Sequence, residues 1–315
     1  MGRTFTFIGV TTASSSIMRI FPLWRDALGL GADVQIVGWD LPIGAPAGQY
    51  RETVRALAAD PTNLGGLVTT HKIDLYRAAR DLFDELDHYA TLCGEVSCIA
   101  RRDGRLRGWA KDPVSAGKTL EGMLGDGYFA RTGGDALVFG AGGAGVAIAL
   151  HLLSRPDPGD RPGRIVVTDP SAERLESLRG LRERLGSIVQ IAYVRGADAV
   201  VNDAILGGLR AGSLVVNATG MGKDRPGSPV SDGAPFPRDG IAWELNYRGD
   251  LTFLRQARRQ AAARGVRVED GWRYFIFGWT AVIEEVFGRR IAPVELDELA
   301  RLAAFARPPV SAEET

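Results

Sequence analysis

The sequence predicts a two-domain α/β protein whose second half is a doubly wound parallel sheet. Three observations lead to it. The chain has 315 residues, and domains run to roughly 100–200 residues each. Short apolar strands alternate with helical patterns along most of its length, as stacked βαβ units require. One of those strands, Ala136–Phe139, runs directly into the glycine-rich turn GAGGAG.

In the first half, Thr4–Val10 has strand character and Phe21–Gly29 reads as a helix stopped by glycine. Val34–Trp39 is an apolar strand, and Gln49–Ala59 has helical spacing with Val54 and Leu57 on one face. Gly65–Thr69 is a short strand and Lys72–Leu86 a helix. Cys98–Ala100 and Arg105–Trp109 flank Asp103-Gly104, a hairpin signal. After Pro113, the run Val114–Leu124 reads as a helix, and Gly125–Gly134 as the domain linker.

In the second half come strand Ala136–Phe139, helix Gly143–Leu153 and the Pro/Gly/Asp loop Arg155–Gly163. Strand Arg164–Thr168, helix Ala172–Leu185 and strand Ile188–Ala192 follow. Ala199–Val201, Leu214–Asn217 and Ile241–Leu245 read as further strands. The last stretch is helical over Thr252–Arg264, Trp272–Phe287 and Pro293–Ala304. By helical spacing the aromatic cluster Trp272, Tyr274, Phe275, Phe277 and Trp279 is mostly core, with Tyr274 and Phe277 expected toward a substrate cleft.

Composition narrows the function. Lys+Arg 38 against Asp+Glu 38 gives a net charge of zero, without the attraction that a general binder of nucleic acid or anionic membrane needs. Only four of the cations are lysine: Lys72, Lys111, Lys118 and Lys223. Two cysteines, Cys93 and Cys98, and three histidines are too few for a zinc site or a disulfide scaffold. No metal is expected, and two reduced thiols suit a cytoplasmic protein. The start, MGRTFTFIGVTT, lacks the apolar stretch of a signal peptide. Ala136–Leu153 has about the length and apolarity of a membrane span, but its glycines and His151 fit a strand, turn and helix better.

The turn Gly140-Ala141-Gly142-Gly143-Ala144-Gly145 matches GxGxxG. Gly140 permits the tight turn, Gly142 lets the backbone approach a pyrophosphate, and Gly145 lets helix and strand pack closely. The helix N-terminus adds unpaired N–H groups and a positive dipole for phosphates. The next strand ends in Asp169, 24 residues after Gly145, where a carboxylate that bonds an adenosine 2′-OH belongs. Such a group favours NAD over NADP, while Arg174 leaves room for a 2′-phosphate. Asp169 also reads as a helix N-cap over Ser171–Arg174. The second half is therefore expected to be a Rossmann dinucleotide-binding domain.

Oxidising an alcohol with a nicotinamide needs a group that takes the hydroxyl proton. Of the histidines, His88 falls in a charged helix and His151 in the glycine-turn helix; only His71 falls in a loop, beside Lys72. Forty residues later comes Lys111-Asp112-Pro113. A lysine with its pKa lowered by burial and held by a carboxylate can act as acid and base. By itself Lys72 also reads as a solvated cation opening a helix.

The order of these motifs resembles the shikimate dehydrogenase family across nearly the whole chain. Ser14-Ser-Ser16 sits where the family has its Ser-x-Ser, LVTTHK (Leu67–Lys72) resembles NVT-x-P-x-K, and GEVSC (Gly94–Cys98) resembles GAVNT. DGRLRGWAKD (Asp103–Asp112) resembles DGxLxGxNTD, NATGMG (Asn217–Gly222) resembles NATSxGM, and ELNYRGDLT (Glu244–Thr252) resembles DxxYxPxxT. The resemblance implies catalytic Lys72 and Asp112, and substrate contacts from Ser14, Ser16, Thr69, Ser97 and Tyr247. It implies cofactor contacts from Gly140 to Gly145, Asp169, Asn217, Ala218, Thr219 and Gly220. The implied layout is a substrate domain over 1–125, a dinucleotide domain over 126–250, and C-terminal helices over 251–315 that brace the first.

Several family positions differ. The Asn of NVT falls on Gly66 or Leu67, that of GAVNT on Ser97 and that of GxNTD on Ala110; Ile17 follows Ser-x-Ser, and Gly278 stands for a C-terminal Gln. Groups that read ring hydroxyls are thus reduced, while the Lys72–Asp112 pair is kept. The implied activity interconverts a ring hydroxyl and a ketone of a small cyclic hydroxy acid, serving aromatic amino acid biosynthesis, in a monomer or homodimer. The alternatives are a quinate or aminated-analogue dehydrogenase and a catalytically silent dinucleotide-binding regulator. Methylenetetrahydrofolate dehydrogenase shares the layout but fits the ELNY and DGxLxG segments less well.

Overall fold

The computed structural model describes residues 2–196, 198–223 and 225–308; the end of the predicted C-terminal segment, from 309 on, lies outside them. The chain divides into two compact units, one of residues 2–115 with 276–307 and one of residues 116–275.

The first unit contains β1 (Arg3–Gly9), α1 (Ile17–Ala27), β2 (Val34–Asp40), α2 (Ala47–Ala59), β3 (Asn63–Val68) and α3 (Lys72–Ala79). Next come β4 (Glu85–Leu86), α4 (His88–Cys93), β5 (Cys98–Arg102), β6 (Arg105–Trp109) and the start of α5 (Asp112–Leu124). The sheet order is β2-β1-β3-β5-β6-β4. β1 lies parallel to β2 and β3, whereas β5 runs antiparallel to β3 and to β6. Side chains on a strand alternate between faces. Ile8, Val68 and Ile99 accordingly pack with Tyr50, Val54 and Leu57 of α2 and Leu75 of α3, while Phe5 and Phe7 meet Phe21 of α1 and Trp279 on the other face.

The second unit contains α6 (Tyr128–Thr132), β7 (Ala136–Phe139), α7 (Gly143–Leu153), β8 (Arg164–Asp169), α8 (Ala172–Leu185), β9 (Gln190–Arg195) and α9 (Ala199–Gly207). It continues with β10 (Leu214–Asn217), β11 (Ile241–Glu244), α10 (Thr252–Arg264), β12 (Arg267–Glu269) and the first part of α11 (Trp272–Phe287). Its six strands are all parallel, in the order β12-β11-β10-β7-β8-β9. That is the doubly wound order of dinucleotide-binding sheets, with its switch point between β7 and β10. Leu137 and Phe139 face Leu206 of α9 and Phe253 and Ala257 of α10. The apolar run 136–153 is therefore a buried strand and a buried helix, and no helix among the described residues is long and apolar enough to cross a membrane.

The end of α11 and α12 (Pro293–Ala303) belong with the first unit. Trp24 donates its indole N–H to the Leu299 carbonyl at 2.8 Å, and Arg289 reaches the Leu28 carbonyl at 2.6 Å.

Several predicted elements are corrected. Residues 199–201, expected as a strand, open α9: Asp198 accepts the Val201 N–H at 2.9 Å, and this cap overrides the β-branched pair Val200-Val201. The helix expected over Lys72–Leu86 stops at Ala79, and Glu85–Leu86 pairs with β6 instead. Phe83 and Leu86 lie over Gly108, where a Cβ would come within 2.8 Å of Leu86. α1 starts at Ile17 rather than Phe21, because its buried stripe begins there with Ile17, Ile20, Phe21 and Trp24. The linker 125–134 holds α6, whose amides at Gly127 and Phe129 are accepted by Asp160 at 3.0 and 2.7 Å. The strand expected at Ile188–Ala192 lies at Gln190–Arg195, and β12 has no counterpart among the expected strands.

Candidate active site

In the first unit, strand direction brings three sequence-distant segments to one sheet edge. β1 and β3 are parallel neighbours, so the Ser14–Ser16 turn after β1 and the Thr69–Lys72 turn after β3 leave from the same end. β6 runs in the same sense as β3, because each is antiparallel to β5, and Asp112 follows it there. Lys72 is the first residue of α3 and Asp112 the first of α5. A helix N-terminus favours a carboxylate and disfavours an ammonium, so both positions bias the pair toward passing a proton on.

Lys72 Nζ donates to Asp112 Oδ2, and the side chains are 19% and 9% exposed. Burial alone would lower the Lys72 pKa, as the sequence suggested. The charge of Asp112, then that of Glu95, and the hydrogen bond to Asp112 outweigh burial, so Lys72 holds its proton above the ordinary lysine value. That corrects the expected direction: the resting group is a firm ammonium.

The neighbouring side chains are committed in ways the sequence did not reveal. His71 is buried, with Nε2 3.1 Å from the Leu41 carbonyl and Nδ1 3.0 Å from the Tyr50 hydroxyl. A carbonyl only accepts, so Nε2 carries the hydrogen and Nδ1 accepts from Tyr50. His71 is thereby a satisfied core residue. Lys111 forms a 2.6 Å ion pair with Glu285 of α11. Lys111 is thereby a tether for the Asp112 turn.

Ser97 Oγ accepts the Lys111 N–H at 2.6 Å, leaving its own hydrogen available. Ser16 is buried and gives its hydroxyl hydrogen to the Ala306 carbonyl at 3.0 Å, while Ser14 is exposed and donates to the Thr11 carbonyl at 2.9 Å. Thr69 is half-buried, its N–H bonded to the Ile8 carbonyl at 2.9 Å. A Cβ on Gly66 would lie 2.0 Å from the Thr6 carbonyl oxygen, so no side chain fits there. Leu67, two residues from Thr69 and on its face, is the position matching the family Asn.

In the second unit, the remaining candidates lie at the ends of β7, β8, β10 and β11. Gly140 has φ +99°, and a Cβ there would lie 2.7 Å from the Ala218 carbonyl oxygen; at Gly145 it would lie 2.0 Å from the Gly140 carbonyl oxygen. At Gly142 it would meet nothing within 4 Å. Gly143 and Ala144 form the first turn of α7 behind it. The three glycines of GxGxxG thus make a tight turn, leave open space and allow close packing.

Asp169 is buried, with Oδ2 accepting the Ala141 N–H at 2.8 Å and Oδ1 the Ser171 N–H at 2.7 Å. It braces the glycine turn, while Ser171 is the N-cap that accepts the Arg174 N–H. The Arg174 guanidinium stands 3.9 Å from Asp169 and is half exposed.

After β10, Asn217 Oδ1 accepts from the Thr219 hydroxyl at 2.6 Å and the Thr219 N–H at 3.2 Å. The Ala218 N–H bonds the Phe139 carbonyl at 2.8 Å, and Gly220 turns the chain at φ +74°. Asn217 Nδ2 donates to Glu244 Oε2 at 2.7 Å. Tyr247 stacks in an aromatic cluster, 4.6 Å from Phe275 and 5.3 Å from Trp272. Tyr274 packs edge-on to Trp243 at 5.7 Å.

Two buried acids escaped the sequence reading. Glu244 is fully buried under hydrogen bonds from Asn217 and Asn246, yet burial pushes its carboxyl up to about 8. Glu95 lies beside the lysine pair. A charged residue inside an apolar stretch, IAWEL or GEVSC, was the available signal. Neutral Glu244 stabilises the fold fully below pH about 4.5, and that share is lost as pH rises through about 8, by roughly 5 kcal/mol in all. Glu244→Gln should therefore flatten the decline in Tm between pH 5 and 9, measured by thermal unfolding. A decline as steep as in the unaltered protein would contradict a neutral Glu244.

Cys98 is a buried free thiol. Among the described residues, no group of three His, Cys, Asp or Glu side chains could hold a metal ion.

No family model matches the chain. A shikimate dehydrogenase (NADP(+)) of Salinibacter ruber is 35% identical over 206 residues, 64% of this chain and 65% of that enzyme. One from Methylobacterium radiotolerans is 30% identical over 250 residues, 79% of this chain and 80% of that enzyme. The crystal structure of shikimate 5-dehydrogenase from Thermus thermophilus, in complex with NADP(H) and shikimate, superposes with a TM-score of 0.67 at 25% identity, covering 96% of this chain and 99% of that one.

Proposed function

The chain belongs to the shikimate dehydrogenase family, and we propose that it is an NAD(P)-dependent oxidoreductase interconverting a ring hydroxyl and a ketone on a cyclic hydroxy acid, shikimate and 3-dehydroshikimate or a relative. The observation that carries this reading is the nearly buried Lys72–Asp112 pair, seated where two helices begin at one sheet edge.

The glycine turn fits a dinucleotide, since open space over Gly142 is what a close pyrophosphate needs. When bound, the nicotinamide supplies or accepts the hydride. Lys72 Nζ gives its proton to the carbonyl oxygen in reduction and takes the hydroxyl proton in oxidation. Asp112 holds Nζ in place and orients the hydroxyl. Because resting Lys72 keeps its proton firmly, reduction starts from the correct protonation state across neutral pH, and oxidation quickens toward alkaline pH.

Ser14 and Ser16 hold the substrate carboxylate, Ser16 by exchanging its bond to the Ala306 carbonyl. Thr69, the free hydrogen of Ser97 and Tyr247 complete the substrate contacts. Asn217, Ala218, Thr219 and Gly220 lie along the dinucleotide, with the Asn217 carboxamide fixed by Glu244. Residues 2–115 with 276–307 do the substrate chemistry, and residues 116–275 bind the dinucleotide. The protein works in the cytoplasm on a small molecule, as a monomer or homodimer.

NAD is the preferred dinucleotide in this reading, because the Asp169 carboxylate at the end of β8 disfavours a 2′-phosphate. The relatives named above carry NADP(+) in their names, so the preference is a property of this chain's own residues. A relative of shikimate, such as quinate or an aminated analogue, is favoured by Ala110, which is fully buried, and by Leu67, an apolar residue at the position matching the family Asn. A site that loses hydroxyl-reading groups loses selectivity for that hydroxyl.

A steady-state screen of shikimate, quinate and an aminated analogue with NAD and with NADP tests the reading. One cyclic hydroxy acid should turn over, with the higher kcat/KM for NAD. Preference for NADP would hand the cofactor role to Arg174. Tight dinucleotide binding with no turnover on any of the three would support a silent regulator instead.

A further inference from the structure

Glu95 occupies the position of alanine in the family segment GAVNT. It is 1% exposed, and among the described residues neither carboxyl oxygen has a hydrogen-bond partner. Its backbone belongs to the strip that joins the two halves of the catalytic pair. The Val96 N–H bonds the Lys72 carbonyl at 3.1 Å, and Ser97 Oγ accepts the N–H of Lys111, the residue before Asp112, at 2.6 Å.

Three charged groups act on the Glu95 carboxyl: Asp112, Lys72 and Asp87. Asp87 is tied to the Ala90 and Ala110 amides at 2.7 and 3.1 Å, and is itself acted on by Lys111 and Glu285. A buried carboxylate without a single hydrogen bond is costly, so the group takes up a proton instead. Burial, with the Asp112 charge added, pushes the Glu95 carboxyl up to about 8. Below that pH the cluster holds one ammonium and one neutral acid beside Asp112. Above it, Glu95 releases its proton to solvent and adds a second negative charge near the ammonium.

We propose that Glu95 is a positioning residue for Lys72, a buried acid whose charge state decides how readily Lys72 gives up its proton. Neutral Glu95 leaves Lys72 facing Asp112 alone and easier to deprotonate; ionised Glu95 locks the ammonium. The proposal rests on the reading of Lys72 as the acid–base group, and its test does not require turnover.

With only four lysines in the chain, protein labelled with 13C at the lysine ε-carbon gives few resonances, and the Lys72 signal is identified by its loss in Lys72→Arg. In the unaltered protein that resonance should show an inflection near pH 8 as Glu95 ionises. In Glu95→Gln the inflection should vanish, and in an active enzyme the alkaline limb of the oxidation profile should move to lower pH. Glu95→Ala, which restores the family residue, should behave as Glu95→Gln does if the glutamine variant folds poorly. An inflection that persists in either variant, or that is missing from the unaltered protein, overturns the proposal. Failure of the acid–base reading shows itself separately, as turnover that survives replacement of Lys72.

Discussion

Replacing Lys72 with arginine should lower turnover by about 10²–10⁴-fold, the usual worth of a general acid–base group, while dinucleotide affinity stays unchanged. Arginine keeps the positive charge that Asp112 needs but does not titrate at working pH. The variant therefore isolates proton transfer from charge pairing. Lys72→Met removes both, and should in addition cost stability, because breaking a buried pair typically costs about 3–5 kcal/mol. Asp112 would then share the buried region with Glu95 and no ammonium. The measurement is steady-state kcat for the substrate found in the screen, with dinucleotide binding by fluorescence and Tm alongside. Turnover retained in Lys72→Arg would show that another group carries the proton.

The second large effect is expected in the glycine turn, where neighbouring positions should fail in different ways. Gly145→Ala places a Cβ 2.0 Å from the Gly140 carbonyl oxygen. The backbone must shift, at a cost of about 1–3 kcal/mol, and dinucleotide binding should be lost with the turn geometry. Gly142→Ala meets no atom within 4 Å, so Tm should hold. Its Cβ nevertheless fills the space a pyrophosphate needs, and Kd should weaken by about tenfold or more, roughly 1.4 kcal/mol. Calorimetric binding paired with thermal unfolding separates the two cases. Unaltered affinity in Gly142→Ala would remove this loop from the dinucleotide site.

The second unit was largely legible because its signals are local. A strand running into GxGxxG, followed by a strand ending in Asp169, specifies turn, helix and sheet through backbone sterics that act over a few residues. The misreadings arose where a distant partner or a cap decided. Val200 and Val201 have strand propensity, but the Asp198 cap makes them a helix. Residues 83–86 continue a helical pattern, yet pairing with β6 and packing on Gly108 draw them into the sheet.

In the candidate site, Lys72 and Asp112 were identifiable as residue types with the right chemistry in the right order. The commitments of their neighbours were not identifiable. His71 falls in a loop by sequence and is held at both nitrogens; Lys111 stands next to Asp112 by sequence and is paired with Glu285, 174 residues away.

The sequence by itself determined the class of fold, the glycine turn and the candidate pair Lys72 and Asp112, because periodicity, turn sterics and titratable chemistry belong to short stretches of chain. Only the tertiary structure decided the protonation of that pair. Burial pulls the Lys72 proton off, while Asp112, joined by Glu95 once that carboxyl ionises, holds it on. The balance depends on which charges share a region from which water is excluded, and folding alone sets that.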